Sequence, residues 1–298
     1  MRRRHSAAVW ALPLLFLTAP ARAGMRVYVS VDLEGVAGVV TGDQLNPAGF
    51  EYERFRGFMT DEAMAAIEGA ESAGATEFVV SDSHGNGESL LIERFPENVT
   101  IVRSWPRPLG MMQGLDENFA AAIFIGYHAS TTNPNGVRAH TFSSATLADV
   151  RVNGVSMTEA GMNAAIAGHF NVPVVMISGD DAIVKEAKAL LPDVEGATVK
   201  WAYGFHSART LTPEAACGRI RETARRAIAR AKDVKPYRLK EPVDLDLRFK
   251  NYRPAELLAY LPGIERVDAH AIRFRARDVV EVSRFLEFVT SYEPGLAP

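Results

Sequence analysis

VYVSVDLEG, residues 27–35, sets an apolar run directly before two acids one position apart, Asp32 and Glu34. Residues two apart on a strand point the same way, so both carboxylates are expected to open on one site where a buried strand ends. Two like charges held that close resist joint ionisation unless a cation sits between them. For an isolated pair, a turn cap at Asp32 beside an exposed Glu34 would be the better reading. Three further apolar runs change that balance. FVVSDSHG, residues 78–85, closes on Asp82 and His84; IFIGYHA, residues 123–129, closes on His128; VPVVMISGDD, residues 172–181, closes on Asp180 and Asp181. In an open parallel α/β sheet, ligands bind in the crevice at the carboxyl ends of the strands, so these polar residues converge on one place. A lone histidine at a strand end is usually structural. Hard oxygen donors gathered with imidazoles instead suit zinc or a similar divalent ion.

The layout around these runs predicts an α/β fold: a mostly parallel sheet flanked by helices, with the metal site at the strand C-terminal ends and a smaller C-terminal α+β section. Residues 52–73 read as an amphipathic helix ended near Gly74, which completes a βαβ unit with the second strand. Residues 88–94 read as a short helical piece, and residues 145–155 as a strand or hairpin turning at Asn153 and Gly154. A helix over 158–169 begins at Thr158, which puts Glu159 in its first turn, either stabilised there by the helix dipole or aimed at the crevice. Thr212 and Pro213 start a basic helix whose arginines alternate with alanine and isoleucine, the pattern of a solvated or subunit-facing surface rather than a nucleic-acid site. A composition shift at 232–242 divides a catalytic domain, 24–235, from a C-terminal section, 236–298. That section should hold strands at 243–249 and around 272–274, helices at 254–261 and 278–292, and His270 in a strand as a structural residue.

Residues 1–23 are set apart as a secretory signal. Arg2, Arg3 and Arg4 form a basic start, residues 7–20 an apolar core, and Ala21, Arg22 and Ala23 a small-x-small cleavage pattern. The core falls short of the ~20 residues of a membrane span, so no stable membrane insertion is expected after cleavage. A periplasmic protein follows, or a cytoplasmic one if translation starts at Met25. A net charge of −3 points to no polyanionic partner, and 47% hydrophobic residues allow a sizeable core. The single cysteine, Cys217, excludes an internal disulfide and a cysteine-built metal cage, and its apolar helical setting suggests a buried small residue.

The order VDLEG, SDSHG, GYHA, RAHTF, TEAGMNA and SGDD resembles the DppA-like zinc-dependent D-aminopeptidase family, from about Met25 through the C-terminal section. The resemblance implies two zinc ions per chain, held by Asp32, Glu34, His84, His128 and Glu159, with His140 as a catalytic rather than a ligating group. It also implies short peptides with an N-terminal D-residue, such as D-Ala-D-Ala, as substrates, and a ring-shaped homo-oligomer, a decamer. Asp32 is then the natural bridge between the ions. His140 would donate a proton to the leaving amine or stabilise an oxyanion. Asp180, Asp181 and Asn163 either orient the ligands or make ordinary turn and cap hydrogen bonds. Lys200 either pairs with a substrate carboxylate or an acid near the ligands, or is an exposed structural residue.

Three function classes fit the sequence: a metalloaminopeptidase, another dinuclear amidase or phosphoesterase, and a non-catalytic envelope protein that binds metal or peptides. Phosphate chemistry would call for more cations near the crevice than the Ser-, Thr- and Asn-rich loops supply. His140 counts against the non-catalytic reading.

Overall fold

The computed structural model describes residues 24–292. The expected signal segment lies outside the described residues. No helix among them is long and apolar enough to cross a membrane.

Strand β1 (Met25–Val31) lies near the middle of a seven-stranded sheet. Helix α1 (Gly42–Leu45) and the long α2 (Tyr52–Ser72) lead to β2 (Ala75–Asp82), and β3 (Val99–Val102) and β4 (Ala121–Tyr127) follow. Then come β5 (Leu147–Val152), β6 (Val155–Ser156), α3 (Glu159–His169), β7 (Val174–Asp180), α4 (Asp181–Leu190), β8 (Glu195–Gly204), β9 (Ser207–Thr210) and α5 (Pro213–Ala229). The chain closes with β10 (Val243–Phe249), α6 (Tyr252–Leu258), β11 (Ile264–Asp268), β12 (Ala271–Ala276) and α7 (Val279–Ser291).

The first sheet has the order β3-β2-β1-β4-β7-β8-β9 and is parallel throughout except for the β8/β9 hairpin at one edge. Side-chain alternation splits its strands between two cores. Val27, Val29 and Val31 face one core with Ile123 and Ile125, under Met59, Ala63 and Ile67 of α2 and Ile220 and Ala224 of α5. Tyr28 and Phe124 face the other, with α3, α7 and the second sheet. Both faces of the parallel sheet are covered, which is why its strands read as nearly continuous apolar runs.

The second sheet is antiparallel, in the order β11-β12-β10-β5-β6. It draws strands from both sides of the 232–242 segment, since β10 pairs with β5, Leu247 opposite Val150. The hairpin turn at Asn153 and Gly154 falls where the sequence places it, both residues at positive φ. Of the short helical piece expected at 88–94, only the 3-10 turn Ile92–Arg94 forms. His270 sits in the tight turn between β11 and β12 rather than in a strand, its N–H donating to Asp268 Oδ1 at 2.7 Å. On α5, Arg221 pairs with Glu68 and Arg225 with Glu222, and Arg230 just past its end pairs with Glu195, so these arginines lie on a face exposed in the single chain, as either a solvated or a subunit-facing surface would be.

Candidate metal centre

Strand β1 stops at Val31, one residue before the first acid, so Asp32 and Glu34 do not meet through strand alternation. A turn does the work. The Asp32 N–H still donates to Ile125 O of β4 at 2.8 Å, and the Gly35 N–H donates to Gly126 O at 2.6 Å, folding the chain sharply against the end of β4. Gly126 has φ +72, and a Cβ there would lie 2.1 Å from Asp32 O. Only glycine permits this approach. The turn leaves both carboxylates buried and facing the same cluster.

Three strand ends, a loop and one helix supply that cluster. His84, just past β2, places Nδ1 2.8 Å from Glu34 Oε2 and 3.3 Å from Asp32 Oδ1. His128, just past β4, places Nε2 3.3 Å from Asp32 Oδ2 and 3.3 Å from Glu159 Oε2. Thr158 caps α3 by accepting from Gly161 N at 2.8 Å, which fixes Glu159 in the first turn with its carboxylate turned into the crevice. Glu159 Oε1 also accepts from Phe142 N at 2.6 Å. His140, on the loop after β4, stacks on His128 with ring centroids 4.0 Å apart and holds Nε2 3.7 Å from Glu159 Oε1. Asp32, Glu34 and His128, and likewise His128, His140 and Glu159, each bring one donor atom within 4.8 Å of the others.

The hydrogen bonds of the three imidazoles assign their tautomers. His84 Nε2 donates to Leu45 O at 2.9 Å, His128 Nδ1 to Ala129 O at 3.1 Å, and His140 Nδ1 to Arg138 O at 2.8 Å. A carbonyl only accepts, so each ring commits one N–H there and turns its other nitrogen toward carboxylates, where it must carry either a proton or a cation. Two of the facing atoms, Asp32 Oδ2 and His128 Nε2, are buried without a hydrogen-bond partner. A nitrogen lone pair against a carboxylate repels unless positive charge lies between them. The titration tendencies express the same demand. Burial drives Asp32 above the ordinary carboxylate range, and the Glu34 charge adds to the rise. Burial also opposes ionisation of Glu34, but His84, with His140 and His128 behind it, more than offsets this and holds that carboxyl well below its usual value. Burial alone would lower His84 and His128, yet Glu34 and Asp32 around the first, and Glu159 and Asp32 around the second, raise both well above the usual range. The cluster fits a divalent cation: oxygen and imidazole donors, oriented by backbone carbonyls, with excess negative charge.

Asp32, Glu34, His84, His140 and Glu159 line a pocket of about 610 Å³, together with Trp105, Met111, Phe142 and Met162 and with Leu286 and Glu287 of α7. That volume suits a small molecule or a short peptide.

The remaining candidates divide. Asn163 lines the pocket and donates from Nδ2 to Tyr127 Oη at 2.9 Å, and Tyr127 Oη bonds Ser30 Oγ at 2.7 Å beneath Asp32. Asp180 and Asp181 stay away from the cluster. Asp180 caps α4 through Ile183 N and pins the loop before His140 through Val137 N, while Asp181 accepts from Ala202 N. Asp82 likewise spends Oδ2 on Leu90 N. Lys200 is neither exposed nor ion-paired, and it does not line the pocket; its ammonium is wholly buried among backbone carbonyls. Cys217 is half-buried, and burial pushes its thiol up to about 11, a value for an inert side chain. The sequence reading missed Tyr127 and Ser30, although both stand inside the quoted motifs, because an apolar run hides its buried hydroxyls. It also missed Glu62, buried in α2, which no spacing in the sequence distinguishes from a surface acid.

A carboxylate and imidazole cluster at the strand ends of a covered parallel sheet, under a pocket of this size, defines a metal-binding enzyme class. Residues 25–288 match the family Peptidase_M55, described as D-aminopeptidase, and the chain belongs to that family of peptide hydrolases. A D-aminopeptidase of Bacillus subtilis (strain 168) is 33% identical over 270 residues, which cover 89% of this chain and 97% of that one. A solved structure described as the Zn-dependent D-aminopeptidase DppA from Bacillus subtilis, a self-compartmentalizing protease, superposes with a TM-score of 0.86 at 32% identity. The match covers 89% of this chain and 97% of the other.

Proposed function

We propose that this chain is a dinuclear zinc aminopeptidase that removes the N-terminal D-residue from short peptides of the D-Ala-D-Ala type. The observation that carries the metal reading is the orientation of the imidazoles: each spends its N–H on a backbone carbonyl and turns its free nitrogen to buried carboxylates. Asp32, Glu34, His84, His128 and Glu159 are the proposed ligands. The two oxygens of Asp32 face different histidines, Oδ1 toward His84 and Oδ2 toward His128, as suits a carboxylate shared between two ions. Zinc bound there supplies Lewis acidity toward the scissile carbonyl and an activated water.

The other steps fall to the chain's own side chains. His140 is less buried than the ligands, and its Nδ1–H is fixed by Arg138 O, so Nε2 is free to carry a proton to the leaving amine. Its contact with Glu159 at 3.7 Å keeps the ring on the cluster side of the pocket. Trp105, Met111 and Phe142 narrow the pocket and exclude water from around a bound peptide. Arg138 is the only arginine or lysine among the described residues lining the pocket, against four carboxylates. Since Asp32, Glu34 and Glu159 are the proposed zinc ligands, what favours a peptide over a phosphate dianion is the scarcity of cations beyond the metal.

The homologous structure's self-compartmentalizing character supports the proposed ring of identical subunits. The basic start, apolar core and Ala21-Arg22-Ala23 pattern support a periplasmic location, where D-amino-acid peptides from cell-wall turnover are at hand. The deciding experiment is hydrolysis of matched D-Ala-D-Ala and L-Ala-L-Ala by zinc-reconstituted protein, with zinc counted per chain. Preference for the D-peptide with two zinc ions per chain is expected. Equal or opposite preference overturns the substrate reading, and a protein that retains no zinc overturns the metal reading.

A further inference from the structure

The loop that carries Glu34 is held by buried side chains that do not themselves line the pocket. Lys200 enters from the middle of β8 with no exposed surface. Its ammonium donates to the backbone carbonyls of Glu34, of Val36 at 3.1 Å and of Val39 at 2.7 Å. An ammonium has three protons to place, and these three carbonyls take them all, which is the condition for keeping such a group out of water. Glu62 of α2, also buried, accepts the Ala37 N–H through Oε1 at 2.9 Å. Residues 34–39 are thus gripped by a lysine on their carbonyls and by a carboxylate on an amide between them.

We propose that Lys200 is a positioning residue for Glu34: it fixes the backbone of the acidic turn so that the Glu34 carboxylate stays against His84 and Asp32. The proposal rests on the metal reading above. It differs from a purely structural role in one respect. Glu34 meets His84, which also meets Asp32, whereas Glu159 is held independently, by the Thr158 cap of α3 and by the Phe142 N–H. Loosening the turn should therefore weaken one metal equivalent and spare the other.

The test is a zinc titration of the full chain against a chromophoric chelator, with the visible spectrum of the cobalt(II)-loaded protein, on wild type and Lys200→Met. One equivalent weakened about 10–100-fold is expected, the usual span when a group supporting a ligand is lost. The second equivalent should be unchanged and the cobalt bands altered for the first alone. Wild-type affinities and spectrum in folded Lys200→Met overturn the proposal. So does a parallel weakening of both equivalents that tracks the fall in apo-protein Tm, which marks structural loss. If Lys200→Met does not fold, Lys200→Gln, with two N–H donors and no charge, is titrated in its place, and the same outcomes decide. Wild-type protein that binds no zinc or cobalt removes the metal reading itself, and the proposal falls with it.

Discussion

Each imidazole of the cluster is committed at one nitrogen before any ligand arrives. The commitment is to main chain, whose position the fold dictates, and so the free nitrogens are aimed without help from a mobile side chain. This makes the histidines separable by experiment. His128→Ala should release at least one metal equivalent, because Nε2 faces both Asp32 and Glu159. His140→Ala should keep metal content near that of wild type while turnover falls roughly 10²–10⁴-fold, the span for a positioned acid or base. Elemental analysis beside kcat separates the two, and metal lost from His140→Ala would make it a ligand. At the same scale, Gly126→Ala places a Cβ 2.1 Å from Asp32 O at a φ of +72. A loss of at least about 1–3 kcal/mol from backbone strain is expected, with metal loss besides, because the displaced atom belongs to Asp32 itself; urea denaturation measures the first part.

At the scale of elements, what could be read from the sequence followed its periodicity. The parallel strands announced themselves as apolar runs because both of their faces are covered, and the acids and histidines at their ends were visible for the same reason: they break the runs. Helix α3 was legible from its cap, since Thr158 and Glu159 form an N-terminal signature with a physical cause. The edge of the sheet was not. Strand β8 carries a lysine, a tryptophan and a tyrosine in an irregular half-buried pattern, so ATVKWAY left Lys200 open between a carboxylate partner and an exposed structural role, and its bonds to backbone carbonyls were hidden. The same-face argument for Asp32 and Glu34 reached the right convergence by the wrong route, because Gly35 and Gly126 turn the chain where an extended strand was expected. The cap of α3 is itself testable. Thr158→Ala removes the acceptor for Gly161 N and should cost about 1 kcal/mol, the usual loss at an N-cap. Because Glu159 is the next residue, metal affinity should fall as well, whereas Thr212→Ala at the start of α5, far from the cluster, should lower Tm and leave metal binding alone. Equal metal affinity in both variants would separate the cap of α3 from the site.

For the whole molecule, the composition shift at 232–242 suggested a catalytic body followed by a smaller C-terminal section. The second sheet ties the two together. Its central strand β10 lies between β12, from the C-terminal section, and β5, from before the shift. One continuous core runs from Phe124 of the parallel sheet through Val150 and Leu245 to Ile272 and Leu286. Helix α7 then reaches back to wall the pocket with Ser283, Leu286 and Glu287, about fifty residues after the shift that would have ended the catalytic part. A chain cut after residue 235 would leave the β5 edge unpaired and expose the apolar side chains that β10, β12 and α7 cover, a surface that promotes aggregation. The expected outcome is that this truncated chain is insoluble or molten and binds no stoichiometric metal, and that the full chain unfolds in one cooperative transition followed alike by far-UV circular dichroism and tryptophan fluorescence. A soluble, metal-binding 24–235 fragment, or two resolved transitions in the full chain, would instead make the C-terminal section a separable domain, with the pocket wall an addition to a site complete without it.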